Sequence, residues 1–178
     1  LLFDQKNIPI VRNRLQIDED KISLVKDYDQ TGETVALLDV PRNQIELNAA
    51  LEKDYQQIYL RFLLDQLPVE QIPAKNYFGA VLKYIYSHPT LKPADYRTVA
   101  PYLGLDYDSV LFILRVFFEL GFVKLDEGKL VGEPSPKKQP LTASKYLMGT
   151  SSQIKFVNQL RTMPSQRLIT YVNNLTNK

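Results

Sequence analysis

The sequence contains no cysteine and a single histidine, and these shortages exclude several kinds of chemistry. Without cysteine there can be no disulfide, no thiolate metal site and no cysteine nucleophile, which fits a reducing compartment. No signal peptide or lipidation pattern is visible, so a cytoplasmic location is the default expectation. With His88 alone, neither a histidine pair for a metal nor a histidine relay can form. Because Pro89 follows it at a predicted helix end, we expect His88 to cap that helix or to lie on the surface.

Long hydrophobic runs are also missing, and the most apolar stretch, residues 110–131, is too interrupted to span a membrane. A spanning helix needs about 20 mostly apolar residues, whereas Arg115 and Glu119 break this run and Gly121 ends it. The two charges are four residues apart, so we expect them to pair on one helix face. The apolar spacing predicts a strongly buried helix, with Gly121 in the left-handed position past its end.

Residues 1–67 alternate strand-like and helix-like stretches, which predicts a small Rossmann-like α/β domain. The near-continuous apolar run VALLD is typical of a strand covered on both faces, and QIELNAALEKD after it has the spacing of a helix that covers a sheet. Strand, helix and strand in this order predict a parallel, right-handed crossover. The candidate strands are residues 8–11, 22–25, 35–38 and 58–62.

Residues 74–132 predict a winged-helix-like domain. KNYFGAVLKYIYSH and ADYRTVAPYLGL have the pattern of two helices, and the apolar stretch described above is the third, with Asp106 or Asp108 as its cap. Two short strands at 122–125 and 129–131 form the wing, joined by a tight turn through DEG. The fold class predicted for the chain is therefore α/β, or α+β overall.

Residues 133–178 are predicted to be a basic connector, EPSPKKQP, and a helical tail with helices at 151–160 and 165–175. This region holds seven basic residues against Glu133 alone, a net charge of +6, whereas residues 1–132 carry −4. Such asymmetry is typical of a tail that meets an anionic partner, although a tail docked on the chain's own acidic body fits equally well.

Aromatic rings lie between the basic residues of this tail. That combination can hold single strands by attraction to the backbone and by stacking, and the alternative is that the rings dock the tail on the rest of the chain. The candidate residues for binding a nucleic acid or an acidic partner are Lys137, Lys138, Lys145, Tyr146, Lys155 and Arg161.

The third helix has the wrong charge to read duplex DNA. In DNA-binding winged helices its early residues approach bases and phosphates, but here Asp106 and Asp108 would meet the phosphates first and be repelled. Its one basic residue, Arg115, is expected to be neutralised by Glu119. The motif therefore favours packing or docking over sequence-specific reading.

Catalytic candidates are scarce. Asp39 stands at the carboxyl end of a predicted parallel strand, where sites often form, but Pro41 leads into the next helix without a glycine-rich loop to cradle a phosphate. The residues indicate no catalytic, metal or cofactor site in this chain.

Four segments, taken in order, carry a resemblance to a known family. They are LLDVP at 37–41, IYLRF at 58–62, VFFELGFV at 116–123 and KKQPLTASKYL at 137–147. Over about residues 35–148 the chain resembles the C-terminal region of the single-stranded-DNA-specific exonuclease family RecJ, in the form found in low-GC Gram-positive bacteria.

The resemblance implies a DNA repair and recombination nuclease that degrades single strands from the 5′ end with manganese or magnesium. Its catalytic motifs of the Asp-His-His type are absent here, so no catalytic or metal-binding role is transferred to any residue of this chain. The chain would be an accessory region that grips DNA, docks on the nuclease core in cis, or recruits single-strand-binding protein through that protein's acidic tail.

The alternative hypothesis is a free-standing winged-helix transcriptional regulator with an α/β sensing domain. A basic, exposed third helix would favour the regulator, and a buried, acidic one favours the docking module. The chain begins with Leu1, and the sequence leaves open whether it is an excised fragment or a free-standing protein.

Overall fold

The computed structural model describes residues 1–64 and 67–176. They form two compact units: unit 1 is Leu1–Gln66 with Gln153–Lys178, and unit 2 is Leu67–Ser152. Both units combine helices with a small sheet, so the mixed α/β fold class is confirmed. The three domain boundaries predicted from the sequence stay predictions. Within the described residues, no helix is both long and apolar enough to cross a membrane.

Unit 1 contains the predicted parallel crossover. β1 (Glu33–Asp39) and β2 (Tyr55–Leu64) pair in parallel, and α2 (Gln44–Leu51) connects them. Asn43 caps α2 by accepting the Glu46 backbone N–H at 3.0 Å. This confirms the strands predicted at 35–38 and 58–62 and the helix between them.

The N-terminal residues pair beside β1 and explain two differences from the predicted strands. Leu2 forms a parallel bridge with Leu24, so the strand predicted at 22–25 is reduced to this one bridge. The strand predicted at 8–11 is wrong, because residues Ile8–Leu15 form a helix, α1. Its Pro9 lies in the first helical turn, where the missing N–H has no intrahelical partner to lose.

The chain ends in two helices, α6 (Lys145–Thr162) and α7 (Ser165–Thr176). In unit 1, α7 packs against α2, and the Tyr171 hydroxyl donates to the Gln44 side-chain oxygen. The helix predicted at 165–175 is confirmed. The helix predicted at 151–160 exists but begins six residues earlier, at Lys145.

Unit 2 is built around α5 (Tyr107–Glu119), which packs with α3 (Lys75–Ser87) and α4 (Tyr96–Tyr102). The rings of Phe112 and Phe117 lie edge-on to Phe78 of α3, with centroids 6.5 and 6.0 Å apart. α5 is buried on several sides, as its composition predicts, while Arg115, Phe118 and Glu119 are exposed. Its buried side chains are Ser109, Val110, Phe112, Ile113, Leu114, Val116 and Phe117.

Both ends of α5 have specific caps. Asp106 accepts the Ser109 N–H and the Ser109 hydroxyl, each at 2.7 Å, which confirms it as the N-cap. At the other end Gly121 has φ +66°, and the Phe122 N–H donates to the Phe117 carbonyl at 2.9 Å. The Phe117 and Phe122 rings meet at 5.8 Å, completing the left-handed cap that the glycine predicts.

The hairpin after α5 consists of β3 (Val123–Asp126) and β4 (Lys129–Gly132). They pair antiparallel, with Asp126 opposite Lys129. Glu127 and Gly128 between them both have positive φ, which gives the turn the twist that two-residue hairpins prefer. The two predicted strands are confirmed.

Replacing the N-cap of α5 tests how far unit 2 depends on that helix. We expect Asp106→Ala to lower the free energy of unfolding by about 1 kcal/mol, because the Ser109 N–H loses its acceptor. Urea denaturation followed by circular dichroism measures this. Asp108→Ala is the matched control, since it removes an exposed carboxylate from the same turn without removing the cap. Equal losses in the two variants would contradict the capping role.

Candidate nucleic-acid interface

Asp39, the catalytic candidate at the end of β1, is fully buried and structural. Its carboxylate accepts the Phe3 N–H at 2.7 Å, the Asp4 N–H at 3.1 Å and the Asn7 side-chain amide at 2.8 Å. A buried carboxylate needs such donors to offset the loss of water. Asp39 therefore ties the N-terminal segment to β1 and leaves no open face for a substrate.

His88 follows the last residue of α3 and caps it, as expected. Its backbone N–H donates to the Ile85 carbonyl at 3.1 Å, and its Nδ1 lies 2.9 Å from the Tyr84 carbonyl. In the described residues, no group of three or more histidine or acidic side chains has the arrangement of a metal site.

The connector between β4 and α6 carries the lysine pair, and it is fixed at both ends. At its start the Glu133 N–H donates to the Phe122 carbonyl at 2.9 Å, and the Tyr86 hydroxyl donates to the Glu133 carbonyl at 2.6 Å. At its end the Gln139 side chain donates to the Leu120 carbonyl at 2.6 Å. The segment between these two hydrogen-bonded ends is held against the rest of unit 2.

Lys137 and Lys138 lie between those anchors, and both are exposed. Over residues 1–64 and 67–176, the ion pairs of the structure involve other cations, and neither lysine meets a carboxylate. Two adjacent ammonium groups on a fixed segment attract phosphates or carboxylates without first breaking an internal contact.

Glu119 at the end of α5 caps the first turn of α6. Its carboxylate accepts the Ser144 hydroxyl at 2.5 Å, the Lys145 N–H at 2.9 Å and the Tyr146 N–H at 3.0 Å. The Ser144 hydroxyl oxygen in turn accepts the Leu147 N–H at 3.0 Å. Helix N-termini leave N–H groups without partners, and this pair of caps explains why α6 begins at Lys145.

The expected pairing of Arg115 with Glu119 is therefore wrong. Arg115 lies over the Tyr146 ring instead, with its guanidinium carbon 5.6 Å from the ring centroid and its Nη1 3.3 Å from the hydroxyl. Hydrogen bonding by the Ser144 hydroxyl and the Tyr146 N–H lowers the pKa of Glu119. The sequence signal that could have revealed this contact is Ser144, a preferred N-cap residue just before the helix.

Tyr146 packs on α5 within unit 2. Its ring is half-buried, with its centroid 5.3 Å from that of Phe112. Lys145 beside it is exposed, and its backbone N–H donates to Glu119. The packing of Tyr146 matches the docking alternative for the tail aromatics.

The six predicted binding residues are divided between the two units. Lys137, Lys138, Lys145 and Tyr146 belong to unit 2 and lie on one connector and the helix turn after it. Lys155 and Arg161 belong to unit 1, where both are exposed on α6. Within unit 2 the predicted residues form one basic segment, residues 137–146, which we call the basic connector.

The fold and this segment define a mixed α/β domain with an exposed basic connector. The family model described as "Single-strand DNA-specific exonuclease, C terminal domain" matches residues 1–172, and the chain belongs to that family. This match confirms the resemblance seen over residues 35–148 and extends it to residues 1–172.

A curated relative agrees with this assignment. The protein named "Single-stranded-DNA-specific exonuclease RecJ" of Bacillus subtilis (strain 168) is 26% identical over 153 residues, which are 84% of this chain and 20% of that relative. The chain thus matches about a fifth of the relative's length. No solved structure matches the chain.

Neutralising Glu119 tests its role as the cap of α6. The pKa of Glu119 in the folded protein is lowered from the ordinary 4.5. Its carboxylate therefore contributes fully to stability above pH 4.5, and this contribution is lost as the pH falls through the pKa of the folded state. We expect Glu119→Gln to lower the urea midpoint at pH 7, and the gap from the wild type to narrow below about pH 4.5.

The matched control is Glu70→Gln, which neutralises an exposed glutamate of the same unit. Its midpoint should stay close to that of the wild type at both pH values. A pH-independent gap for Glu119→Gln would contradict a contribution from the ionised carboxylate.

Proposed function

We propose that this chain is the non-catalytic accessory region of a longer RecJ-type exonuclease, and that it holds single-stranded DNA for a nuclease core elsewhere in that protein. The observation that carries the proposal is the basic connector: Lys137 and Lys138 are exposed and lie between two backbone anchors. A fixed pair of cations is suited to the phosphate backbone, which supplies most sequence-independent affinity. Manganese or magnesium would belong to the core and to its chemistry.

The three helices and hairpin of unit 2 serve, in this proposal, as a winged-helix-like docking module. α5 opens with Asp106, which is occupied by Ser109, and with the exposed Asp108. Its exposed basic residue, Arg115, is engaged by Tyr146. A helix buried on most sides and acidic at its start is unsuited to the major groove.

These features disfavour the alternative of a winged-helix transcriptional regulator, which requires a basic, accessible reading helix. Two other anionic partners remain compatible with the basic connector. One is the acidic tail of single-strand-binding protein, and the other is an acidic face of the nuclease core. Both become outcomes of the test below. A cytoplasmic location is part of the same proposal.

Titration of the chain into labelled single-stranded DNA at several salt concentrations tests the grip. Each phosphate contact contributes about −0.7 to the slope of log affinity against log salt for single strands. We expect Lys137→Ala/Lys138→Ala to weaken binding and to make the slope shallower by about 1.4.

The control removes two exposed lysines from unit 1, as Lys6→Ala/Lys26→Ala. The net charge changes equally in both double variants. Equal losses of DNA affinity would therefore indicate a general electrostatic attraction and would contradict a DNA-binding site at the basic connector. Absence of DNA binding at low salt, combined with binding of an acidic peptide, would replace DNA by a protein partner.

A further inference from the structure

Three aromatic rings lie next to one another in unit 2, outside the basic connector, and two of them are stacked. The rings of Tyr84 and His88 have centroids 3.9 Å apart and planes within 11° of parallel. The Tyr102 ring, at the end of α4, is 5.6 Å from Tyr84 and inclined by 57°. We call these three residues the aromatic ladder.

The aromatic ladder contributes little to the core. α3 buries Phe78, Val81 and Ile85, whereas Tyr84 is half-buried, His88 is exposed and Tyr102 is 76% exposed. Tyr102 therefore presents most of its ring to solvent, although burying an aromatic ring is favourable. The ring of His88 is held in place by the contact of its Nδ1 with the Tyr84 carbonyl, so part of the ladder is preorganised.

The two helices that form the aromatic ladder are locally basic. Residues 74–105 contain four basic residues against one acidic residue, a net charge of +3, while residues 1–132 as a whole carry −4. The acidic residue, Asp95, is occupied as a cap, since its carboxylate accepts the Lys92 N–H at 2.8 Å. The basic residues are Lys75, Lys83, Lys92 and Arg97.

We propose that the aromatic ladder is a stacking platform for unpaired bases of single-stranded DNA. Exposed rings on a basic surface provide the two attractions that such strands use, namely stacking of bases and neutralisation of phosphates. A duplex hides its base faces within the stack, so single strands are the form of DNA that can use a bare ring. The proposal rests on the proposed function, in which the chain contacts single-stranded DNA, and adds the site where bases are held.

A single tryptophan reports directly on stacking at the aromatic ladder, because the wild-type chain contains none. In the full chain, Tyr102→Trp keeps a ring at the most exposed position. We expect its fluorescence to be quenched by oligothymidylate and to change little with an abasic oligonucleotide of the same length, which offers phosphates without bases. Phe118→Trp places the reporter on α5, at a position 39% exposed in the same unit, and should respond to neither.

Two further substitutions separate stacking from a simple apolar contact. Tyr102→Phe keeps the ring and should bind oligothymidylate like the wild type. Tyr102→Leu keeps an apolar side chain without a ring and should weaken binding about fivefold or more, the loss typical of one stacked base. Circular dichroism checks that each variant is folded.

The outcomes distinguish the aromatic ladder from the proposed function. If the wild type binds oligothymidylate but the fluorescence of Tyr102→Trp is not quenched, the stacking platform is wrong. The same holds if Tyr102→Leu binds oligothymidylate as tightly as Tyr102→Phe. In both cases the proposed binding of single-stranded DNA by the chain still stands. If the wild type binds no oligonucleotide at low salt, the proposed function fails, and the platform fails with it.

Discussion

Burial of α5 is the constraint on which the rest of unit 2 depends. Phe112, Ile113 and Phe117 of this helix are almost fully buried, so one whole face of α5 is committed to the core. Its exposed residues are confined to a narrow stripe, and the last of them, Glu119, is occupied by the first turn of α6. Other elements of this unit are better placed to meet a partner, and the basic connector and the aromatic ladder are two that expose side chains.

Carboxylates and lysines have different roles in this chain. Asp39 and Glu119 each accept hydrogen bonds from the backbone of a distant segment, and Asp106 accepts them from Ser109 in the first turn of its own helix. Such charge-assisted bonds are stronger than neutral ones and order the segments that they join. Lys137 and Lys138 of the basic connector meet no carboxylate in the described chain. These acidic residues thus stabilise the fold, while the two lysines stay available to an anionic partner. The formal net charge of only +2 does not reveal this difference.

Local patterns predicted much of the fold. The periodic run before Gly121, the glycine itself and the DEG turn each require only neighbouring residues, and the structure has the helix, the left-handed cap and the hairpin where they were expected. The parallel crossover was also predictable, because its strands and helix follow one another directly. Residues 8–11 were misread as a strand because four residues, three of them apolar, suit either a strand or a helix, and Pro9 in the first turn settled it as a helix.

The candidate site was less predictable. The basic character of the connector followed from composition, but its two anchors did not, since Tyr86 and Gln139 reach partners distant in the sequence. Arg115 and Glu119 have suitable spacing for an ion pair on an isolated helix, but in the folded chain each contacts residues near 145 instead. The sequence does not predict the aromatic ladder, because Tyr102 comes from a different helix than Tyr84 and His88.

The sequence by itself determined the secondary structure of most of the chain, its family, and the absence of thiol and paired-histidine chemistry, because these depend on residue types and short spacings. Only the tertiary structure decided which charged and aromatic groups are engaged. Asp39 and Glu119 are occupied by residues 25 to 36 positions away, and Tyr146 by α5. Whether a side chain is engaged or accessible is set by contacts between distant segments, and those contacts form only when the chain packs.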